Sequence, residues 1–222
     1  MEIIIHNNHL ALLSQKAVFW REEKTLLISD LHLGKITHFR KEGIPLPLQA
    51  MKNNFNRLDE LILNNNAHSI IFTGDLFHST VNSEWDAFCS WRKKYHSVDM
   101  HIIPGNHDRF DLDCYSALPL SVHKNSFKWN PFTFAHHPLE APDGLTYHIA
   151  GHIHPVIRLS GKANQQFRFP CFYFGQQQAI LPSFGYFTGG HEINPQTNDR
   201  VFAVIENKVV DASVFFKAAA KI

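Results

Sequence analysis

Carboxylate, amide and imidazole donors recur in five short stretches of this chain: Asp30-Leu31-His32, Gly74-Asp75, Gly105-Asn106-His107-Asp108, His136 and Gly151-His152-Ile153-His154. A mixed set of oxygen and imidazole ligands suits manganese, iron or zinc better than calcium. No thiolate accompanies them, which argues against a closed structural zinc site and for catalysis. Two divalent ions about 3.5–4 Å apart need a shared anionic bridge. Asp75, following the small Gly74 with no cation beside it, is the candidate. In an extended segment residues i and i+2 point the same way. Asp30 and His32, and likewise His152 and His154, are therefore expected to face one cluster, with Leu31 and Ile153 toward the core. Histidine is unusually frequent, at 16 of 222 residues. It is the commonest side-chain metal ligand and the usual proton carrier near neutral pH.

These stretches follow short apolar runs: Thr25–Ser29, Ser69–Thr73, His101–Pro104, Phe132–Ala135 and Tyr147–Ala150. Such runs predict strands buried on both faces, and open α/β sheets place their sites beyond the carboxyl ends of strands. Three earlier strands are expected at Ile3–Ile5, Leu10–Leu13 and Ala17–Trp20. Between the ligand-bearing strands, Leu48, Met51, Phe55, Leu58, Leu61 and Ile62 recur at helical steps. A second helix is expected from Ser83 as cap, with Trp85, Phe88, Trp91 and Tyr95 inward. Lys35 to Gly43 reads as a polar segment. The resulting β-α-β-α-β order implies a parallel sheet. Strands are then expected at Arg168–Phe174, Val201–Ile205 and Val209–Phe216, the last two a hairpin turning at Glu206-Asn207-Lys208. The expected fold class is α/β: two mixed β-sheets packed as a sandwich flanked by helices, in a single domain spanning 1–222.

Lys and Arg total 21 against 20 Asp and Glu, so no global basic field drives binding to duplex nucleic acid. Local groups and metal ions must hold any phosphates. The odd count of 3 cysteines favours reduced thiols over a disulfide framework. The N-terminus lacks the pattern of a signal peptide, and no apolar run reaches the ~18 residues of a membrane span. The expectation is a cytoplasmic protein with no membrane partner.

The motifs, complete and in order, resemble those of the calcineurin-like metallophosphoesterases: Asp-x-His, Gly-Asp, Gly-Asn-His-Asp, His and Gly-His-x-His. Flanking residues are similar to one bacterial branch, the ligase-associated DNA damage response endonucleases. They include Leu33-Gly34-Lys35, Phe39-Arg40, Gly43-Ile44-Pro45, Leu76-Phe77-His78, Arg109, Pro155, and Leu181-Pro182-Ser183-Phe184-Gly185 through Thr188-Gly189-Gly190. The resemblance implies that Asp30, His32, Asp75 and His154 hold one metal, and Asp75, Asn106, His136 and His152 a second. A hydroxide between the ions would attack phosphorus in line. His107 would protonate the leaving alkoxide or steady the transition state. The His-x-Pro pattern selects His136 over His137, which is then accessory or merely exposed. Asp108 either orients His107 or caps the turn through Asp111. Lys35 and Arg40, and less so Arg109, lie beside ligand motifs and would either bind substrate phosphates or be merely solvated, and His78 would line the cleft or sit in a loop. The cofactors implied are two divalent ions, manganese before iron, zinc or magnesium. The implied substrate is a phosphodiester, single-stranded or flexible DNA, cut by a homodimer linked in repair to a DNA ligase and helicase. Alternatives are a phosphatase or phosphodiesterase acting on small nucleotides or phosphomonoesters, and an inactive metal-binding module. Completeness of the ligand set stands against the last.

Overall fold

Leu26 and Ile28 face one way along their strand and Leu27 the other, yet all three are fully buried. The strand therefore lies between two apolar layers, as its uninterrupted apolar run requires. In the computed structural model, residues 1–47, 49–78, 83–108, 115, 118–140, 144–161 and 165–219 are described.

The first sheet pairs β1 (Glu2–Ile5), β2 (Asn8–Leu13), β3 (Ala17–Trp20), β4 (Thr25–Ile28), β5 (Ser69–Phe72), β6 (Asp99–Ile102) and β7 (Ser121–Val122) in that order. Pairing is antiparallel from β1 to β4 and parallel from β4 to β7. Helices α1 (Lys35–Lys41) and α2 (Gln49–Asn65) lie between β4 and β5, and α3 (Ser83–Lys94) between β5 and β6.

The second sheet contains β8 (Ser126–Trp129), β9 (Phe132–Ala135), β10 (Tyr147–Ala150), β11 (Pro155–Ser160), β12 (Gln166–Phe174), β13 (Gln178–Ile180), β14 (His191–Glu192), β15 (Arg200–Ile205) and β16 (Lys208–Asp211). Its order is β14-β11-β12-β13-β10-β9-β8, with β15 pairing β12 and β16 pairing β15. β10 runs parallel to β9 and β13, whereas β12 runs antiparallel to β11, β13 and β15. Both sheets are mixed. A last helix, α4 (Ser213–Ala219), follows β16.

Three apolar clusters show how these elements stack. Trp20, Leu27 and Ile71 of the first sheet meet Phe132, Phe134, Phe172 and Phe202 of the second between the two sheets. The outer face of the first sheet, with Leu26, Ile28, Ile70 and Phe72, is covered by Leu58 and Leu61 of α2 and Phe88 and Trp91 of α3. Ile157, Cys171, Val201 and Ala203 cover the far side of the second sheet, against Phe216 of α4. Each fully buried Phe or Leu contributes roughly 1.5–3 kcal/mol, so the sandwich interface is a main source of stability. No helix among the described residues is long and apolar enough to cross a membrane.

Two expectations are corrected. The segment after Gly34, read only as polar, is the helix α1: Ile36 is buried and Thr37 Oγ1 donates to the buried Glu84 carboxylate at 2.9 Å. One inward apolar residue in seven positions leaves too little periodicity to reveal it. The run Val209–Phe216 is not one strand. β16 stops at Asp211, whose Oδ1 accepts from Ser213 N at 2.9 Å, and a helix begins there. β7, β8, β11, β13 and β14 have no counterpart in the expected strands. Leu48 and the side chains of Met51 and Ser83 lie outside the described residues.

Candidate metal centre

The ligand pairs are not presented by extended strands, as alternation had suggested. Asp30, His32, Asp75, His152 and His154 have φ of 52°, 50°, 47°, 68° and 50°, all in the left-handed region. Such residues cost about 1–3 kcal/mol each and persist where the surroundings over-determine them, typically at functional sites. Here the backbone is pinned from several sides. Asp30 N donates to Gly74 O (3.1 Å), His32 N to Asp75 O (2.9 Å), Gly151 N to His136 O (3.0 Å) and Gly185 N to Asp30 O (3.0 Å). Leu31 enters the core as expected, but Ile153 is only half-buried.

The candidates converge in two groups. In the first, His154 Nε2 lies 3.2 Å from Asp30 Oδ1 and 3.4 Å from His32 Nε2. In the second, His136 Nε2 lies 3.0 Å from Asn106 Oδ1 and 3.2 Å from His152 Nδ1. Asp75 stands between them, with Oδ2 3.7 Å from His32 Nε2 and Oδ1 3.6 Å from His136 Nε2. Ligands about 2.1 Å from one ion lie about 3.0–3.4 Å from each other, so the spacings within each group fit the donor shell of a divalent cation, with Asp75 slightly farther out. His137 also joins: its ring nitrogen falls within 4.8 Å of those of His136 and His152, although the residue is exposed.

Backbone carbonyls aim the rings. His136 Nδ1 donates to Thr73 O and His154 Nδ1 to Thr188 O, each at 3.1 Å, which turns both Nε2 lone pairs inward. Asp30 is held by the Ser29 hydroxyl and by His152 N at 3.1 Å, and its carbonyl accepts from Ser183 Oγ at 2.8 Å. Burial, reinforced by Lys35, pushes His32 down to about 2. Burial also lowers His136, and lowers His152 with help from His136 and His137. These imidazoles therefore stay neutral and keep their lone pairs at physiological pH, as ligation demands. Asp75 is raised by burial, against the His107 N–H that favours its anion, with Asp30 adding repulsion. Two buried carboxylates side by side call for cationic partners.

The glycines of the motifs are packing requirements. A Cβ on Gly74, which has φ 93°, would run into the His136 ring, and one on Gly105 into the Asp75 carboxylate.

Asp108 anchors two loops. Its buried carboxylate accepts from Gly105 N (2.9 Å), Leu76 N (3.2 Å), Phe77 N (2.8 Å) and Tyr115 Oη (3.1 Å). It ties the loop after Asp75 to the loop carrying Asn106 and His107. Burial lifts its carboxyl to about 6 despite these donors. Asp111 and Arg109 lie outside the described residues.

His107 N donates to Asp75 Oδ1 at 2.8 Å, and its half-buried ring lies 5.3 Å from that of His32 and stacks on His78 at 4.9 Å. His78 thus flanks the centre. Lys35 is half-buried, lowered by desolvation while Asp75 and Asp30 attract its charge. Arg40 is exposed on α1 with Nη1 donating to Leu46 O at 2.7 Å. Among the described residues it makes no hydrogen bond or ion pair with the ligand candidates. Ser29, Tyr115 and the carbonyls of Thr73 and Thr188 support the site without having been singled out. Carbonyl contacts leave no residue-type signal, whereas Ser183 sits inside a motif already noted.

Residues 23–183 match the family described as calcineurin-like phosphoesterase. A comparison with curated proteins returned no match. Among solved structures, the chain is similar to the Pseudomonas putida nuclease MPE, with 30% identity, a TM-score of 0.80, and coverage of 95% of this chain and 98% of that one. A phosphoesterase from E. coli, Yfce, aligns with 12% identity, a TM-score of 0.46, and coverage of 86% and 98%.

Proposed function

The chain belongs to the calcineurin-like phosphoesterase family, and from that premise we propose that it is a metal-dependent phosphodiesterase, an endonuclease acting on single-stranded or flexible DNA in repair. The observation that carries the metal chemistry is the Asp75 carboxylate, one oxygen toward each group of donors. Nucleic acid as substrate is supported by the 30% identical relative, itself a nuclease.

In this reading Asp30, His32, Asp75 and His154 hold one ion, and Asp75, Asn106, His136 and His152 the other, with His137 at the rim. Manganese leads the candidates. Divalent ions at such a site supply a nucleophilic water at neutral pH and neutralise charge on the phosphoryl oxygens. The remaining work falls to the chain. Asp75 and the main chain of His107 are joined, so the His107 ring is held next to the donors with His78 behind it. From there it gives a proton to the leaving oxygen, which prevents a strongly basic alkoxide from departing. Lys35 adds positive charge beside the phosphoryl group.

His107→Ala is expected to lower kcat by about 10²–10⁴-fold on a substrate with an alkoxide leaving group, with metal content unchanged. A far smaller loss on p-nitrophenyl esters, whose leaving group needs no proton, would identify the step. The decisive test of the proposal compares circular single-stranded DNA, bis(p-nitrophenyl) phosphate and p-nitrophenyl phosphate, with manganese added and with a chelator. The chelator should abolish all turnover and manganese restore it. Purified protein that hydrolyses the monoester but leaves circular DNA intact would overturn the nuclease reading.

A further inference from the structure

A cleft of about 400 Å³ adjoins the second group of donors: Asn106, His136 and His137 line it together with Lys124, Asn125 and Leu139. No carboxylate appears among its lining residues. Two other clefts, of about 560 and 300 Å³, have Glu60 and Glu206, and Glu192, in their walls. One ammonium with no acid against it suits an anion, and the volume is within the range of small-ligand sites, about 300–1,000 Å³.

Lys124 is exposed but does not sit on a loose loop. The preceding residue, His123, donates its N–H to Ile102 O of β6 at 2.8 Å, and its ring stacks on Phe127 of β8 at 4.1 Å. Its Nε2 also lies 3.1 Å from His101 Nδ1. The β7–β8 connection is thus tied to the strand whose end leads to Asn106, which fixes Lys124 relative to the donors while its long side chain can follow a ligand.

We propose that this cleft is the subsite for the nucleotide adjoining the scissile phosphate. Lys124 pairs with the next phosphate of the chain, Asn125 offers its amide to the sugar or base edge, and Leu139 provides an apolar wall. The inference rests on the nuclease reading and specifies on which side of the centre the strand is held. It makes Lys124 a specificity-determining residue: it favours chain substrates over small diesters, which have no second phosphate.

The test measures kcat/KM for a single-stranded oligonucleotide and for bis(p-nitrophenyl) phosphate, in the wild type and in Lys124→Ala, Lys124→Glu and Lys124→Arg. For Lys124→Glu, the oligonucleotide-to-diester ratio should fall about tenfold or more, through KM, with Lys124→Ala intermediate and Lys124→Arg near wild type. The slope of log KM against log salt for the oligonucleotide should flatten by about 0.7 in Lys124→Ala, the loss of one phosphate contact on a single strand. If the wild type cuts both substrates and the ratio and slope are the same in all variants, the subsite falls and the nuclease reading stands. If the wild type cuts the diester and not the oligonucleotide, both fall together.

Discussion

Asp75→Asn should reduce turnover by about 10³-fold or more while leaving the protein folded. The substitution is isosteric and retains one carbonyl oxygen, so its cost is electrostatic. It removes the anion that lies between the two donor groups, 3.7 Å from His32 on one side and 3.6 Å from His136 on the other. Losing one preorganised stabilising group in a buried site costs about 10²–10³-fold, and under the proposed two-ion arrangement, in which Asp75 would serve both ions, the cost should be at least the upper figure. Metal-free stability should move the other way. Burial and the neighbouring Asp30 raise the Asp75 pKa, so its anion is unfavourable without cations, and the amide relieves that strain. Thermal melts with and without manganese check both halves: the metal-free melting temperature should hold or rise, while the gain on adding metal should shrink. Turnover within tenfold of wild type would remove Asp75 from the centre.

Asp108→Ala should have the largest effect on stability, about 3–5 kcal/mol. Three backbone N–H groups, of Gly105, Leu76 and Phe77, and the Tyr115 hydroxyl would lose their shared acceptor in a buried position. Each unsatisfied buried donor costs about 1–3 kcal/mol, partly offset by relaxation and by no longer burying a carboxylate. For a chain of 222 residues this lowers the melting temperature on the order of 10 °C. Activity should fall as well, because the carboxylate holds together the loops that bring Asp75 and Asn106 to the centre. Asp108→Asn should be intermediate, since one oxygen still accepts but the amide nitrogen meets donors. A melting temperature unchanged in Asp108→Ala would show that the loops hold each other without it.

Much of this was legible in one chain. Leu26-Leu27-Ile28 is apolar without alternation, as a strand covered on both faces requires, and the two-sided core of the first sheet is the result. Which residues gather there was also legible, because carboxylate and imidazole side chains are few and here they follow such runs. Their setting was not. The left-handed backbone at Asp30, His32, Asp75, His152 and His154 leaves only a weak signature, because Asp and His are enriched there but far more often lie elsewhere. α1 carries one buried apolar residue and escapes any periodicity count.

What the sequence determined by itself is therefore the inventory: which residues are able to bind ions, and that strands end beside them. Tertiary structure decided their arrangement. Ser183 reaches Asp30 across 153 positions, and His152 reaches it across 122. Asp108 holds amides 31 and 32 residues back. The Thr73 and Thr188 carbonyls aim His136 and His154 with an atom that every residue possesses. The carbonyl contacts depend on where the backbone lies and not on which side chain it carries, so they exist only once the chain has folded.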